Sequence, residues 1–283
     1  MTDGRCLCGA LRYQIDGPFV DMVHCHCSMC RKHHGAPFAT WAVAPLSGFR
    51  WVGDTSTLAS YKSSAKGHRE FCRVCGSVAP LLDEAIGLAI APAGNLVDDP
   101  GLRPTKHMFV ASKAAWHTIS DALPQYDEYP PEFGMPSTPR EPIAVTPGVT
   151  QGSCLCGDVA YEISTAPLRM YFCHCSRCRQ GNSAEHCANV FYKAEGFRWT
   201  RGAERVQNYK LPEAQHFGTA FCKRCGAAVP RVSFEHNVAV VPAGSLDSEP
   251  GIAPAAHIFV DSKAPWTDIS DTIPQFAEMP PRR

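Results

Sequence analysis

The chain has 283 residues, with 27 Lys and Arg against 27 Asp and Glu, and therefore no formal net charge. That balance disfavours a nucleic-acid binder driven by phosphate contacts, while 45% hydrophobic and 19% charged residues are enough to bury real cores rather than stay disordered. At roughly 150 residues per domain the length predicts about two domains, and no apolar run approaches the ~20 residues of a membrane span.

Asp3, Arg5 and Arg12 fall where a signal peptide would need an apolar stretch, so the expected compartment is the cytoplasm. There the 15 cysteines are expected to stay reduced, and an odd count excludes complete pairing in any case. Metal ligation becomes the leading reading of those thiols. The first two, Cys6 and Cys8, precede an alternating run, Leu11-Arg12-Tyr13-Gln14-Ile15, that reads as a strand. A knot follows, Cys25-His26-Cys27-Ser28-Met29-Cys30-Arg31, with a short helical turn expected after it. Cys72-x-x-Cys75 comes next, then His107 ahead of a Phe-Val pair, and Tyr129 to Pro147 holds six prolines without an apolar period. That composition predicts an extended, semi-rigid linker over 129–147.

Everything before the linker then recurs. Gly4–Ile15 returns as Gly152–Ile163 and His26–Arg31 as His174–Arg179, both at an offset of 148. Beyond Tyr61/Tyr209 the offset is 150, which holds for Cys72/Cys222, His107/His257, Trp116/Trp266 and Asp121/Asp271. Two residues inserted between Lys210 and Cys222 suggest a surface loop. A unit this long is a tandem domain duplication, expected as 1–128 and 148–283, with each copy folding by itself. Short alternating runs such as Val159–Ile163 and His257–Val260, broken by Gly and Pro, make both copies mainly β.

Seven cysteines occupy each copy, and Cys187 alone has no counterpart. Seven thiolates divide naturally into four and three: one saturated tetrahedral zinc site, and one with an open position for water or substrate. Cys25, Cys27 and Cys30 are close enough in sequence to hold an ion together, whereas Cys6/Cys8 and Cys72/Cys75 are half-sites that gain by meeting. Two alternatives stand beside this division. His26, His24 or His107 can close the three-cysteine site into a structural one, and an iron–sulfur cluster can replace zinc. Arg31 and Arg179 are either solvated surface or clamps for a substrate carboxylate.

The opening Gly-x-Cys-x-Cys-Gly-x-x-x-Tyr, the Cys-His-Cys-Ser-x-Cys-Arg knot, Gly35-Ala36-Pro37-Phe38, Tyr61-Lys62-Ser63-Ser64, Arg69-x-Phe71-Cys72-x-x-Cys75-Gly76-Ser77 and a closing Ser-Lys-Ala-x-Trp resemble the glutathione-dependent formaldehyde-activating enzyme (GFA) family, also called the centromere protein V family. The resemblance covers both copies and implies two tandem zinc-containing β-tent domains. It implies structural zinc on Cys6, Cys8, Cys72 and Cys75, and catalytic zinc on Cys25, Cys27 and Cys30. In the second copy the same roles fall on Cys154, Cys156, Cys222 and Cys225, and on Cys173, Cys175 and Cys178. The implied activity is that of a carbon–sulfur lyase joining glutathione, or a similar thiol, to formaldehyde or a related aldehyde, giving S-(hydroxymethyl)glutathione. No nucleic-acid or membrane partner is expected, and the alternative function is a non-catalytic, zinc-stabilised binding module. The second copy replaces Gly35–Trp41 by Ser183-Ala184-Glu185-His186-Cys187-Ala188-Asn189, and Arg69 by Thr219. Activity is therefore expected in the N-terminal copy.

Overall fold

Glycine and proline interrupt the chain so often that its strands run only two to seven residues, and each copy is assembled from many of them. A computed structural model describes residues 1–65, 67–135 and 143–281. The first copy contains β1 (Thr2–Arg5), β2 (Arg12–Ile15), β3 (Asp21–Cys25), α1 (Ser28–His34), β4 (Ala39–Pro45), β5 (Phe49–Trp51), β6 (Leu58–Lys62), β7 (His68–Cys72), β8 (Leu81–Asp83), β9 (Leu88–Pro92) and β10 (Lys106–Met108). They form a three-stranded sheet β1-β2-β5, a hairpin β6-β7 and a five-stranded sheet β10-β3-β4-β9-β8.

The second copy repeats this plan as β11 (Thr150–Ser153), β12 (Ala160–Ile163), β13 (Arg169–Cys173), α2 (Ser176–Asn182), β14 (Cys187–Tyr192), β15 (Phe197–Arg201), β16 (Val206–Lys210), β17 (Gly218–Cys222), β18 (Arg231–Ser233), β19 (Val238–Pro242), β20 (Ala256–Ile258) and β21 (Gln275–Phe276). Here β21 adds a sixth strand to the large sheet. The mainly β expectation holds, and a short helix forms at each cysteine knot, but it begins inside the knot rather than after it, at Ser28 and Ser176, and carries Cys30 and Cys178. The strand expected over His257–Val260 stops at Ile258, because Phe259 turns into the left-handed region at φ 57°. Part of the expected linker, residues 136–142, lies outside the described residues. Its first residues do not extend away: Tyr129 and Phe133 pack on the first copy, against Phe109 and the Cys25–Cys27–Cys30 cluster.

The copies face each other about a pseudo-two-fold axis, as an isologous dimer would. Equivalent residues meet across it: the Ser120 and Ser270 hydroxyls share a hydrogen bond of 2.6 Å, and the Phe71 and Phe221 rings lie edge to face at 6.3 Å. The cores are not separate, contrary to the expectation of independently folding copies. Ala264 and Trp266 of the second copy lie in the first copy's core with Tyr13, Ile15 and Met22, and Trp116 of the first packs against the second. The inserted loop is no plain surface loop either. Leu211 and Ala214, 3% and 4% exposed, cover Cys6, Leu7, Cys72 and Cys75 of the first copy, since burying such apolar side chains is worth about 1.5–3 kcal/mol each for residues of leucine size.

Two further contacts lock the interface. The Lys32 ammonium lies 2.6 Å from the Asp247 carboxylate with both side chains under 8% exposed, and it donates to the carbonyls of Ser153 and Ser245. Gly94 and Gly244 each touch backbone of the opposite copy. A Cβ at Gly244 would sit 2.3 Å from the Arg31 carbonyl oxygen and 2.6 Å from the Ala36 nitrogen. Backbone on both sides leaves little room to relax, so Gly244→Ala is expected to destabilise the protein by about 3 kcal/mol in urea unfolding. A change below about 0.5 kcal/mol would show that the interface is not held this tightly.

Candidate metal centres

Two tight turns bring the first four thiols together. One carries Cys6 and Cys8 between β1 and β2, the other Cys72 and Cys75 at the end of β7, and all four Sγ atoms lie within 4.8 Å of one another. Cys154, Cys156, Cys222 and Cys225 do the same in the second copy. The nearest sulfurs are 3.5 Å (Cys6, Cys8) and 3.7 Å (Cys8, Cys72) apart, with 3.4 and 3.7 Å in the second copy. Those separations are far beyond a disulfide bond of about 2.05 Å. They match the edge of a tetrahedron, about 3.8 Å, around an ion about 2.3 Å from each sulfur. Backbone amides of Leu11 and Val159 donate to Cys6 and Cys154 Sγ, both at 3.3 Å, which favours thiolates. The donor set, spacing and amide bonds fit zinc.

The second cluster forms where β3 runs into α1. Cys25 ends the strand, and Cys27 caps the helix by accepting from the Cys30 amide at 3.3 Å, which turns Cys30 back toward the other two thiols. The helix closes at Gly35, φ 64°; in the second copy Ser183 takes the same left-handed conformation, and there Cys175 caps α2 through the Cys178 amide. Cys25, Cys27 and Cys30, and likewise Cys173, Cys175 and Cys178, have their Sγ atoms within 4.8 Å of one another. No histidine joins either group among the described residues. Instead, His26 Nε2 shares a 2.8 Å hydrogen bond with His107 Nδ1, and His107 Nε2 lies 3.0 Å from the Asp121 carboxylate. His24 Nδ1 is engaged by Thr40. The geometry thus gives three sulfurs and no imidazole to each centre.

A family model for the glutathione-dependent formaldehyde-activating enzyme matches residues 1–112 and 149–262. The chain belongs to the GFA family. No curated protein matches it. Among solved structures it is similar to a Rhodobacter sphaeroides protein known from a crystal structure, at 28% sequence identity over 36% of this chain and 91% of that one, with a TM-score of 0.29.

Within this GFA-family chain the two three-cysteine centres have different surroundings. Beside the first, the half-buried Arg69 donates from Nη1 to Cys30 Sγ at 3.5 Å. Burial works against its charge, but Cys30, Cys27 and Cys25 outweigh burial and raise its pKa. Thr219 stands there in the second copy and donates instead to the Cys75 carbonyl. The sequence signals Arg69 only as a difference between copies; its contact with Cys30 depends on β7 passing alongside α1. Arg31 and Arg179 are not solvated surface. Burial lowers the pKa of both, and Cys27 and Cys175 partly restore it.

The two copies also enclose a cavity of about 500 Å³ lined by His24, His107, His117, His174, His186, His257 and Glu185. The second copy mirrors the first, with His174 bonded to His257 and His257 to Asp271. Burial lifts Glu185 to about 8 and holds His24 well below its ordinary value, so their 3.9 Å contact is between neutral groups near pH 7. This histidine lining is the site feature that sequence reasoning missed, because its members are spread over both copies and meet only at the interface.

Proposed function

We propose that the chain is a zinc-dependent carbon–sulfur lyase, and that its N-terminal centre on Cys25, Cys27 and Cys30 joins a small thiol, glutathione or a similar one, to formaldehyde or a related aldehyde. The product is the S-(hydroxymethyl) adduct: the thiol sulfur bonds to the carbonyl carbon, and the thiol proton ends on the new hydroxyl oxygen. The observation that carries this reading is a three-sulfur donor set with Ala39, a residue unable to ligate, opposite Cys25, in a member of the GFA family. Cys25, Cys27 and Cys30 would hold the zinc, which when bound would offer a fourth position where a thiol is kept deprotonated and nucleophilic. The four-cysteine centres, with no open position, would hold zinc in a structural role.

The residues around the centre then have defined tasks. Three thiolates on a divalent ion carry a net charge of −1, and Arg69 offsets it at Cys30, so an anionic thiol meets less repulsion. Arg31, in electrostatic range of Cys27, supplies positive charge suited to a carboxylate-bearing thiol. Tyr129 and Phe133 wall one side of the cluster. Holding thiol and aldehyde together supplies most of the rate gain.

Exchange NMR of glutathione, formaldehyde and their adduct tests this with the zinc-loaded protein. Exchange is expected to exceed the uncatalysed rate and to fall at least ~100-fold toward background in Cys27→Ser, the loss typical of removing one essential group. Exchange at the background rate with the wild-type protein would refute the assignment.

A further inference from the structure

The three-cysteine clusters differ at the position that decides whether a centre is open. In the first copy β3 pairs with β4 so that Cys25 faces Ala39. In the second, β13 pairs with β14 in the same register and Cys173 faces Cys187. Cys187 is 1% exposed and packs in one cluster with Cys173 and Cys178. Its thiol interacts chiefly with Cys173 and Cys178 and more weakly with Cys175, and it stands just outside the three sulfurs that lie within 4.8 Å of one another. Asn189 Nδ2 donates to Cys187 Sγ at 3.1 Å, the kind of amide contact that stabilises a thiolate. At the equivalent place in the first copy stands Trp41, which donates nothing comparable to Ala39.

We propose that Cys187 is the fourth ligand of the C-terminal three-cysteine centre, which is thereby a closed four-thiolate zinc site, while the N-terminal centre stays open at Ala39. One torsion places a cysteine sulfur, so rotation about χ1 at Cys187 and Cys175 is the movement that brings the fourth sulfur to the other three. The surrounding charge follows the same division. Four thiolates leave −2 on a zinc centre, and Arg231, standing where the first copy has Leu81, lies in electrostatic range of Cys178 and lines a small cavity with Cys178 and Cys187. Arg69, the cation beside the open centre, is gone from the second copy. A closed centre has no position for a substrate thiol, so the C-terminal copy is a scaffold on which the N-terminal copy is built.

The proposal rests on zinc occupying the three-cysteine clusters, as in the reading above, and not on the identity of the substrates. Cadmium-113 NMR of the full-length protein with cadmium in place of zinc tests it, because four-thiolate sites resonate downfield of sites with three thiolates and an oxygen or nitrogen. Four resonances are expected, three in the four-thiolate region and one upfield. Cys187→Ala moves exactly one of the three upfield, and Cys187→Ser, which keeps the size of the side chain, does the same if the alanine variant does not fold. Two upfield resonances in the wild-type protein, no shift on replacing Cys187, or a Cys173–Cys187 disulfide would each overturn closure while leaving the open N-terminal centre in place. Only two resonances in all would remove both three-cysteine centres, and with them the catalytic reading as well.

Discussion

Cys72→Ser is expected to unfold both copies, not one. The substitution leaves three sulfurs where four stand within 4.8 Å, and a four-thiolate zinc site contributes about 10 kcal/mol or more to folding. That is comparable to the whole stability of a domain, about 5–15 kcal/mol. The loss spreads because Leu211 and Ala214 of the second copy are buried on this cluster and Trp266 lies in the first copy's core. Zinc content and urea unfolding followed by tryptophan fluorescence test the point. The variant should lose its cooperative transition altogether; a second copy that keeps its metal and a separate transition would show that the shared cores contribute little.

Lys32→Ala is the second change with a large effect. Lys32 and Asp247 are paired at 2.6 Å across the interface, and removing the ammonium leaves the buried Asp247 carboxylate with the Ser153 hydroxyl but no counter-charge, and the carbonyls of Ser153 and Ser245 without their Lys32 donor. Breaking one partner of such a pair costs about 3–5 kcal/mol, whereas replacing both by apolar residues is often close to neutral. Urea unfolding of Lys32→Ala should show that loss, and Lys32→Met with Asp247→Leu should recover part of it, short of full recovery because the two carbonyls remain unpaired. A single variant within about 0.5 kcal/mol of wild type would mean that water replaces the ammonium at this interface.

Much of the molecule is legible in the chain itself. The duplication, the mainly β character and a helical turn at each knot follow from spacing and punctuation, because sulfur spacing and glycine and proline placement act within a few residues. The four-and-three grouping of the thiols is likewise local for Cys25, Cys27 and Cys30. Joining Cys6 and Cys8 to Cys72 and Cys75 is inferred from counting ligands, and the structure brings those sulfurs to tetrahedral spacing.

What the sequence did not display are contacts between residues far apart in the chain. Arg69 reaches Cys30 across 39 positions, Lys32 reaches Asp247 across 215, and the histidines of the central cavity come from both copies. The insertion after Lys210 reads as a surface loop until the second copy is set against the first. Cys187 stands out in the sequence as an unpaired thiol, but only the pairing of β13 with β14 puts it opposite Cys173. Ligand type and spacing are thus determined by the sequence alone, since neighbouring residues cannot avoid one another. Which charge or thiol completes each centre is decided by the tertiary structure, because strand register and the packing of one copy on the other choose among many distant partners.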